Sequence, residues 1–282
     1  MHKSTQTALL GDTPSRDYAP KLQRFNAFAR MELRRAIASL ELNPGMRVLD
    51  AGCGTGEMLE WFSEAVGNEG RVVGMDLAAA HATAARIAAP PSTLVLQADA
   101  LKAPIRAASF DLVWCTNTVN HFRDPQIALQ TLTSLLRPGG RIALGQSSLL
   151  PDMYFAWDSR LERLVTEAMR RYYRDRYSVD ERDYSASRAL VGMMRSAGLL
   201  NVKTTTLAIE RISPLTESDE QYLLDIMFRE VWGERLRPYL SPVDCEELKR
   251  LCDPTRPEFA FGRSDFHFIQ TFTLVVAETF AH

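Results

Sequence analysis

The chain has 282 residues, a formal net charge of −2 and four cysteines. Proteins that clamp a nucleic-acid backbone carry a basic stripe, so this near-neutral charge argues against that function and favours a small-molecule partner. The length suits one core domain with insertions, and no window is long and apolar enough to predict a membrane span.

The cysteines and the amino-terminal sequence together predict where the protein works. Cys53, Cys115, Cys245 and Cys252 fall at no metal-ligand spacing. The first twenty residues are polar and broken by proline, where a signal peptide would need an apolar run. We therefore expect a cytoplasmic protein with no disulfide framework and no bound metal.

Helical and strand-like patterns alternate through the first half of the chain. Residues 22–40 repeat apolar side chains at helical spacing, and "NPG" at 43–45 ends that helix. The strand candidates that follow are "MRVLDAG", "RVVGMD", "TLVLQAD", "FDLVWC" and "RIALGQS". Several are apolar without alternation, as strands covered on both faces are, so we predict a mostly parallel sheet between two layers of helices.

The regular alternation of strand and helix patterns ends after residue 148. An amphipathic stretch at 160–177 and a helix at 185–199, which Gly198 would cap, precede a strand at 201–212. About fifty mostly helical residues then lead to a last strand, "FIQTFTLVVAETF". We predict an amino-terminal helical extension over 1–45 and a core over 46–282, with helical insertions near 150–184 and 213–265.

The segment "VLDAGCGTGEML" at 48–59 indicates a ligand site. A strand that ends in a glycine-rich turn before a helix brings backbone N–H groups to a ligand with few side chains in the way. A dinucleotide site requires G-x-G-x-x-G, but Glu57 stands where the third glycine would be. An acid at that helix start would repel a diphosphate, which weakens the dinucleotide interpretation.

The acid and the alternate glycines of this turn resemble the first motif of the class I S-adenosylmethionine-dependent methyltransferases. In that family the acid that corresponds to Asp50 helps to position the amino-acid end of the donor. The glycines let the main chain pack beneath the donor. The resemblance therefore assigns donor contacts in the turn to Asp50, Gly52, Cys53, Gly54 and Gly56.

Two further acids extend the resemblance along the chain. Asp76, with Leu77 after it, lies twenty residues beyond Gly56 at the end of the second strand, where a carboxylate can accept hydrogen bonds from both ribose hydroxyls. That spacing is shared with nicotinamide enzymes. Asp99 and Ala100 follow the third strand, and in the methyltransferase family the corresponding residues contact the adenine amino group and ring.

The fourth and fifth strands complete the set of motifs. "FDLVWCTNTVNHFRDP" resembles the fourth-strand motif and places Thr116 and Asn117 near the amino-acid end or methyl group of the donor. "LLRPGGRIAL" resembles the approach to the fifth strand. The residues of these motifs are most similar to those of the small-molecule group that includes ubiquinone and menaquinone methyltransferases. The resemblance implies an α/β, Rossmann-like sheet of seven strands, mostly parallel with an antiparallel last strand, and insertions that form a partial lid.

The acceptor side is less well defined by the sequence. His121, just beyond the fourth strand, is the candidate general base, although a histidine there could equally order the loop. Tyr18 resembles aromatic residues of amino-terminal lids in some relatives. His267 could face the pocket or a helix. Tyr172, Tyr173 and Tyr177 could line an acceptor site or form one core face of a helix whose basic side is solvated.

The resemblance predicts methyl transfer from S-adenosylmethionine, with S-adenosylhomocysteine as product, to an oxygen, nitrogen or carbon of a small molecule. Two alternatives remain open at this point. The chain could bind the donor and catalyse another reaction, such as a cyclisation, or it could be a non-catalytic subunit that activates a partner. The acceptor and the oligomeric state are not predicted.

Overall fold

The computed structural model describes residue 15 and residues 17–148, 150–177 and 186–281. Helices and strands alternate in its first half, as the periodicity predicts. The α-helices are α1 (Ala19–Phe28), α2 (Arg30–Ala38), α3 (Glu57–Val66), α4 (Ala79–Ala88), α5 (Pro125–Ser134), α6 (Ser159–Tyr177), α7 (Ala186–Ser196), α8 (Glu217–Tyr222) and α9 (Pro242–Cys252). The strands are β1 (Arg47–Ala51), β2 (Arg71–Asp76), β3 (Leu94–Gln97), β4 (Phe110–Thr116), β5 (Leu136–Ser147), β6 (Asp152–Met153), β7 (Leu200–Ile212) and β8 (His267–Glu278).

All eight strands form one sheet, whose core runs in the order β3-β2-β1-β4-β5-β8. Neighbours from β3 to β5 are parallel, whereas β8 is antiparallel to β5 and to β7. The predicted mostly parallel α/β sheet with an antiparallel last strand is therefore confirmed. The two-residue β6 is additional to the seven predicted strands and pairs with the amino-terminal end of β8, beyond the end of β5.

Alternate residues of the central strands enter two separate hydrophobic cores. Val48 and Trp114 lie in the core that α2 and α3 cover, whereas Leu49 and Val113 lie in the core that α5 and α7 cover. Because both faces of the sheet are buried, β1 and β4 contain consecutive apolar residues, "VL" in β1 and "LVWC" in β4, instead of alternating apolar and polar ones. The sheet is thus held rigidly between helices, and its strand ends give fixed positions to the loops above them.

The strand order reverses between β1 and β4, since the chain passes from β1 outward to β3 and then returns to β4. In open α/β sheets, ligands bind in the crevice that forms at the carboxyl ends of the strands at such a point. Asp76 ends β2 at this edge, and Gly52, Asp99 and Asn117 lie in the loops beside it. The topology therefore brings the separate sequence motifs to one place.

The connection from β7 to β8 is long and helical and also lies at the carboxyl edge. Its described elements are α8, a π-helix over Leu223–Arg235, a 3₁₀ turn at Arg237–Tyr239, α9 and a second 3₁₀ turn at Ala260–Gly262. Salt bridges join it to α1, at 2.9 Å between Lys21 Nζ and Glu230 Oε1 and 3.1 Å between Arg24 Nη1 and Asp225 Oδ2. The insertion is thus tied to the amino-terminal helices, which border the crevice.

Two local predictions differ from the structure. The helix predicted over 22–40 is divided at Ala29 into α1 and α2, because Arg211 Nη2 donates a hydrogen bond to the Phe28 carbonyl. The segment "LRPGG", which the sequence places on the approach to the fifth strand, lies inside β5, where the register with β4 shifts and Gly139 has a φ of +74°. Both differences result from contacts with strands that are distant in sequence.

Candidate active site

A cavity of about 590 Å³ opens at the carboxyl ends of β1, β2, β3 and β4. Its size is typical of a small-molecule site. Predicted site residues from five separate segments line it: Tyr18, Gly52, Asp76, Leu77, Asp99, Ala100, Thr116, Asn117 and His121. Asp50, Cys53, Gly54 and Gly56 are not among the lining residues; Asp50 lies in β1, and the other three lie in the same turn as Gly52.

The glycine turn has a conformation and a packing that require glycine. Gly52 has a φ of +87°, and a Cβ added there would lie 2.2 Å from Thr118 Oγ1. Gly56, which precedes α3, has a φ of +89°, and its Cβ would lie 2.8 Å from Ala85 Cα. Both approaches are closer than atoms tolerate, so these positions hold the turn against β4 and α4.

Carboxylates accumulate around the turn. Asp50 is 2 % exposed, and its Oδ2 has no hydrogen-bond partner within the described part of the chain. Burial raises the pKa of Asp50 well above its usual range, and repulsion from Asp76 and Glu57 raises it further. Glu57 accepts hydrogen bonds from Asn26 Nδ2 at 2.8 Å and Thr55 Oγ1 at 2.7 Å. A cationic ligand would relieve this repulsion, whereas a phosphate would increase it.

Asp76 is fixed by donors on both carboxylate oxygens. Gly54 N donates to Oδ2 at 2.9 Å, and Ala78 N donates to Oδ1 at 2.9 Å. His81 Nδ1 lies 3.3 Å from the same Oδ1. Asp76 therefore joins the glycine turn to the start of α4 and also borders the cavity, where its oxygens can accept further hydrogen bonds.

The remaining predicted residues lie around the rim of the cavity. Asp99 is two residues beyond β3, and its Oδ1 accepts from Leu101 N at 2.9 Å. Asn117, with a φ of +52°, accepts at Oδ1 from Ser147 N at 2.7 Å, so it connects the ends of β4 and β5. His121 ends a 3₁₀ turn beyond β4. Tyr18 precedes α1 on the opposite wall.

Other aromatic and histidine candidates lie elsewhere. His267 Nε2 is 2.6 Å from Glu210 Oε1, and its ring packs against those of Tyr154 and Phe155 rather than in the cavity. Tyr172 and Tyr173 contact each other on α6. The side chain of Tyr177 lies outside the described residues. The structure does not bring His267, Tyr172 or Tyr173 to the cavity.

Sequence reasoning missed several residues that line the cavity. The first helix contributes Leu22, Phe25 and Asn26, and α4 contributes His81. A buried Asn26, 8 % exposed, is a polar residue on the apolar face of a helix, and that pattern could have indicated a partner. His81 carries no such signal because its position relative to the cavity depends on how α4 packs against β2.

Comparison with known proteins agrees with this geometry. Residues 49–144 match a family model described as a methyltransferase domain. The chain is 35 % identical over 141 residues to the malonyl-[acyl-carrier protein] O-methyltransferase of Enterobacter lignolyticus, covering 49 % of this chain and 55 % of that protein. It is 29 % identical over 175 residues to the ubiquinone/menaquinone biosynthesis C-methyltransferase of Vibrio parahaemolyticus, covering 57 % and 66 %.

The family match and the order of the motifs identify the central part of the chain. Residues 49–144 form a methyltransferase domain, and their motifs are those of the class I S-adenosylmethionine-dependent methyltransferases. A crystal structure from Bacillus halodurans, provisionally assigned as a methyltransferase, has the same fold, with a TM-score of 0.54, 19 % identity and coverage of 88 % of this chain and 99 % of that one. The chain spans little more than half the length of the first curated relative it matches.

The residues present fit the donor of this methyltransferase family. S-adenosylmethionine carries a sulfonium and an ammonium and has no phosphate. This agrees with the carboxylates of Asp76 and Asp99 in the cavity lining and with those of Asp50 and Glu57 on either side of the glycine turn. The unpartnered Asp50 Oδ2 is an acceptor, and the crowding at Gly52 leaves no room for a side chain under a ligand. Among the described residues, no cluster of potential metal ligands occurs, and no helix has the length and hydrophobicity to cross a bilayer.

Proposed function

We propose that this chain transfers a methyl group from S-adenosylmethionine to an oxygen, nitrogen or carbon of a small-molecule acceptor. The observation that supports the proposal is the convergence of Gly52, Asp76, Asp99 and Asn117 on one cavity. These residues would contact successive parts of the donor, from its amino-acid end to its adenine. No other described cavity brings together this set of motifs.

The chain's own task would be to orient the reactants and exclude water. The bound donor supplies a methyl group that its sulfonium already activates for in-line displacement. Asp76 would accept hydrogen bonds from the ribose hydroxyls, and Asp50 would interact with the amino-acid end of S-adenosylmethionine. Leu22 and Phe25 of α1 close one wall of the cavity with apolar side chains, which reduces the access of water.

His121 would accept a proton when the acceptor must lose one. It lies beyond β4, on the cavity wall that also contains Thr116 and Asn117. An imidazole titrates near neutral pH and is therefore suited to general-base catalysis. We expect His121→Gln to lower turnover of a protic acceptor by about a hundredfold and to leave donor affinity unchanged.

The acceptor is proposed to be small and organic. The near-neutral charge of the chain does not provide the basic surface that an RNA or DNA acceptor would require. One of the similar proteins is named as an O-methyltransferase and another as a C-methyltransferase, so the family membership leaves the methylated atom open. Polar residues at the ends of β4 and β5 would determine that choice.

Calorimetric titration tests the donor site directly. Wild-type protein, Asp76→Ala and Asp265→Ala are each titrated with S-adenosylmethionine, S-adenosylhomocysteine and NAD. Asp265 is a matched control because it is a surface carboxylate paired with Arg263, away from the cavity. We expect wild type and Asp265→Ala to bind the first two ligands and not NAD. The affinity of Asp76→Ala should fall at least tenfold, since two hydrogen bonds to a charged acceptor are lost.

A turnover assay then separates methyl transfer from the alternatives. Donor-loaded protein is incubated with a panel of small phenols, carboxylic acids, amines and quinols, and S-adenosylhomocysteine is measured. Formation of this product with an acceptor, and its reduction in His121→Gln, would support the proposed reaction. Binding of S-adenosylmethionine without turnover on any acceptor would favour a non-methylating reaction or an activating role. NAD binding alone would contradict the proposal.

A further inference from the structure

His81 lies at the junction of the glycine turn, β2 and α1, and no motif predicts it. It is 2 % exposed, and its side chain lines the cavity from the first turns of α4. A buried imidazole requires hydrogen-bond partners, because an unsatisfied ring nitrogen loses its interactions with water. Here the two ring nitrogens contact two different elements of the site.

The contacts of His81 determine its protonation. The backbone N–H of Tyr18 donates to Nε2 at a distance of 3.4 Å, so Nε2 must be unprotonated to accept. A neutral imidazole then carries its proton on Nδ1, which lies 3.3 Å from Asp76 Oδ1. The protonated nitrogen of the ring therefore lies beside Asp76, and its lone pair accepts from Tyr18.

The contact with Asp76 orients the carboxylate. Gly54 N donates to Oδ2 and Ala78 N donates to Oδ1, while His81 Nδ1 lies 3.3 Å from Oδ1. Two backbone donors and the adjacent imidazole hold the carboxylate from three positions, and its remaining lone pairs are free to meet a ligand. A carboxylate whose orientation is fixed before the ligand arrives loses less conformational freedom when it accepts the ligand's hydrogen bonds.

The contact with Tyr18 anchors the start of α1. The Tyr18 ring packs edge-on against the His81 ring, with centroids 4.4 Å apart. From this anchor, α1 extends along the cavity wall with Leu22 and Phe25 facing it. Its other end is bound through Asn26 to Glu57 at the head of α3. The first turn of α1 thus depends on His81, and its later turns depend on Asn26.

We propose that His81 is a positioning residue that couples Asp76 to α1. Through Nδ1 it orients the carboxylate that would hold the donor, and through Nε2 it keeps α1 closed over the same cavity. The role at Asp76 rests on the proposed function, whereas the anchoring of α1 concerns the ligand-free protein. Donor binding and closure of α1 are therefore linked through one imidazole.

Two conservative substitutions separate the two contacts. In His81→Asn the amide nitrogen can replace Nδ1 as donor to Asp76, but the side chain is too short to reach Tyr18. In His81→Gln the amide oxygen can replace Nε2 as acceptor for Tyr18 N, and the contact with Asp76 is lost. His81→Leu removes both contacts and retains an apolar side chain.

Each variant is measured in two ways. Calorimetry with S-adenosylhomocysteine reports the orientation of Asp76, and amide hydrogen exchange of the ligand-free protein over residues 18–28 reports closure of α1. Exchange in α9, which is far from His81 in the fold, serves as the internal standard for global stability. We expect His81→Asn to keep wild-type affinity within about threefold and to exchange faster in α1, since its Asp76 contact is preserved.

We expect the opposite pattern for His81→Gln, with protected α1 amides and an affinity about tenfold weaker than wild type. His81→Leu should show both defects. If the Asn and Gln variants behave alike in both measurements, whether like wild type or like Leu, His81 does not couple the two elements. If wild type fails to bind the ligand, the proposed function fails, and the exchange pattern of Asn against Gln still decides whether His81 anchors α1.

Discussion

Replacing Gly52 with alanine tests whether close packing of the glycine turn, rather than composition alone, determines the site. Gly52 adopts a φ of +87° and its amide donates to Met75 O at 2.7 Å, so the turn cannot move away freely. A Cβ at this position would meet Thr118 Oγ1 at 2.2 Å and Cγ2 at 2.6 Å. Gly52→Ala therefore combines backbone strain with a steric clash.

The two contributions have different magnitudes. A left-handed conformation costs an alanine about 1–2 kcal/mol relative to glycine. Overpacking a tightly filled site adds about 1–3 kcal/mol. We therefore expect Gly52→Ala to lower the free energy of unfolding by about 2–5 kcal/mol, the sum of these two ranges. For a chain of this size, that loss corresponds to a fall in Tm of roughly 5–15 °C.

Gly45→Ala is the matched control for backbone strain. Gly45 has a φ of +84°, close to that of Gly52, but a Cβ added there has no atom within 4 Å. This variant should lose only about 1–2 kcal/mol of stability and should bind S-adenosylhomocysteine as wild type does. Urea denaturation and calorimetry of both variants provide the comparison.

A double-mutant cycle with Thr118→Ala isolates the clash. Removing Oγ1 and Cγ2 of Thr118 eliminates the two closest contacts with the added Cβ. Gly52→Ala should therefore destabilise the Thr118→Ala background less than the wild-type background, by at least about 1 kcal/mol. Equal losses in Gly52→Ala and Gly45→Ala, together with no coupling to Thr118, would refute the packing argument.

Further measurements test the charge arrangement. Burial raises the pKa of Asp50, so the native state loses stability relative to the unfolded state as pH rises above the ordinary aspartate pKa near 4. The Asp50→Asn variant lacks this loss, and urea denaturation should show it gaining stability over wild type between pH 4 and 8. It should also bind S-adenosylmethionine more weakly. Arg211→Ala leaves the buried Glu32 without the cation 2.9 Å away and should lower stability by about 3 kcal/mol. The exposed Arg174→Ala should change stability by less than about 1 kcal/mol, and a similar change in both arginine variants would contradict this reasoning.

The sequence by itself determined the sheet and the positions of the methyltransferase motifs. Strand spacing and uninterrupted apolar runs predict parallel strands covered on both faces, and the chain adopts this arrangement. The spacing of Asp50, Gly52, Asp76 and Asp99 is informative because each lies at, or within two residues of, the carboxyl end of a strand. Strand ends of a parallel sheet meet at one edge, so short-range patterns suffice to predict which residues gather there.

Only the tertiary structure decided how the cavity is closed. The break between α1 and α2 depends on Arg211, which comes from a strand about 180 residues further along the chain. The contact of His81 with Tyr18 depends on the packing of α1 against α4. Helical periodicity reports which residues face a core but not which distant groups meet them. Contacts between distant elements depend on the packing of whole layers, and that information is absent from local spacing.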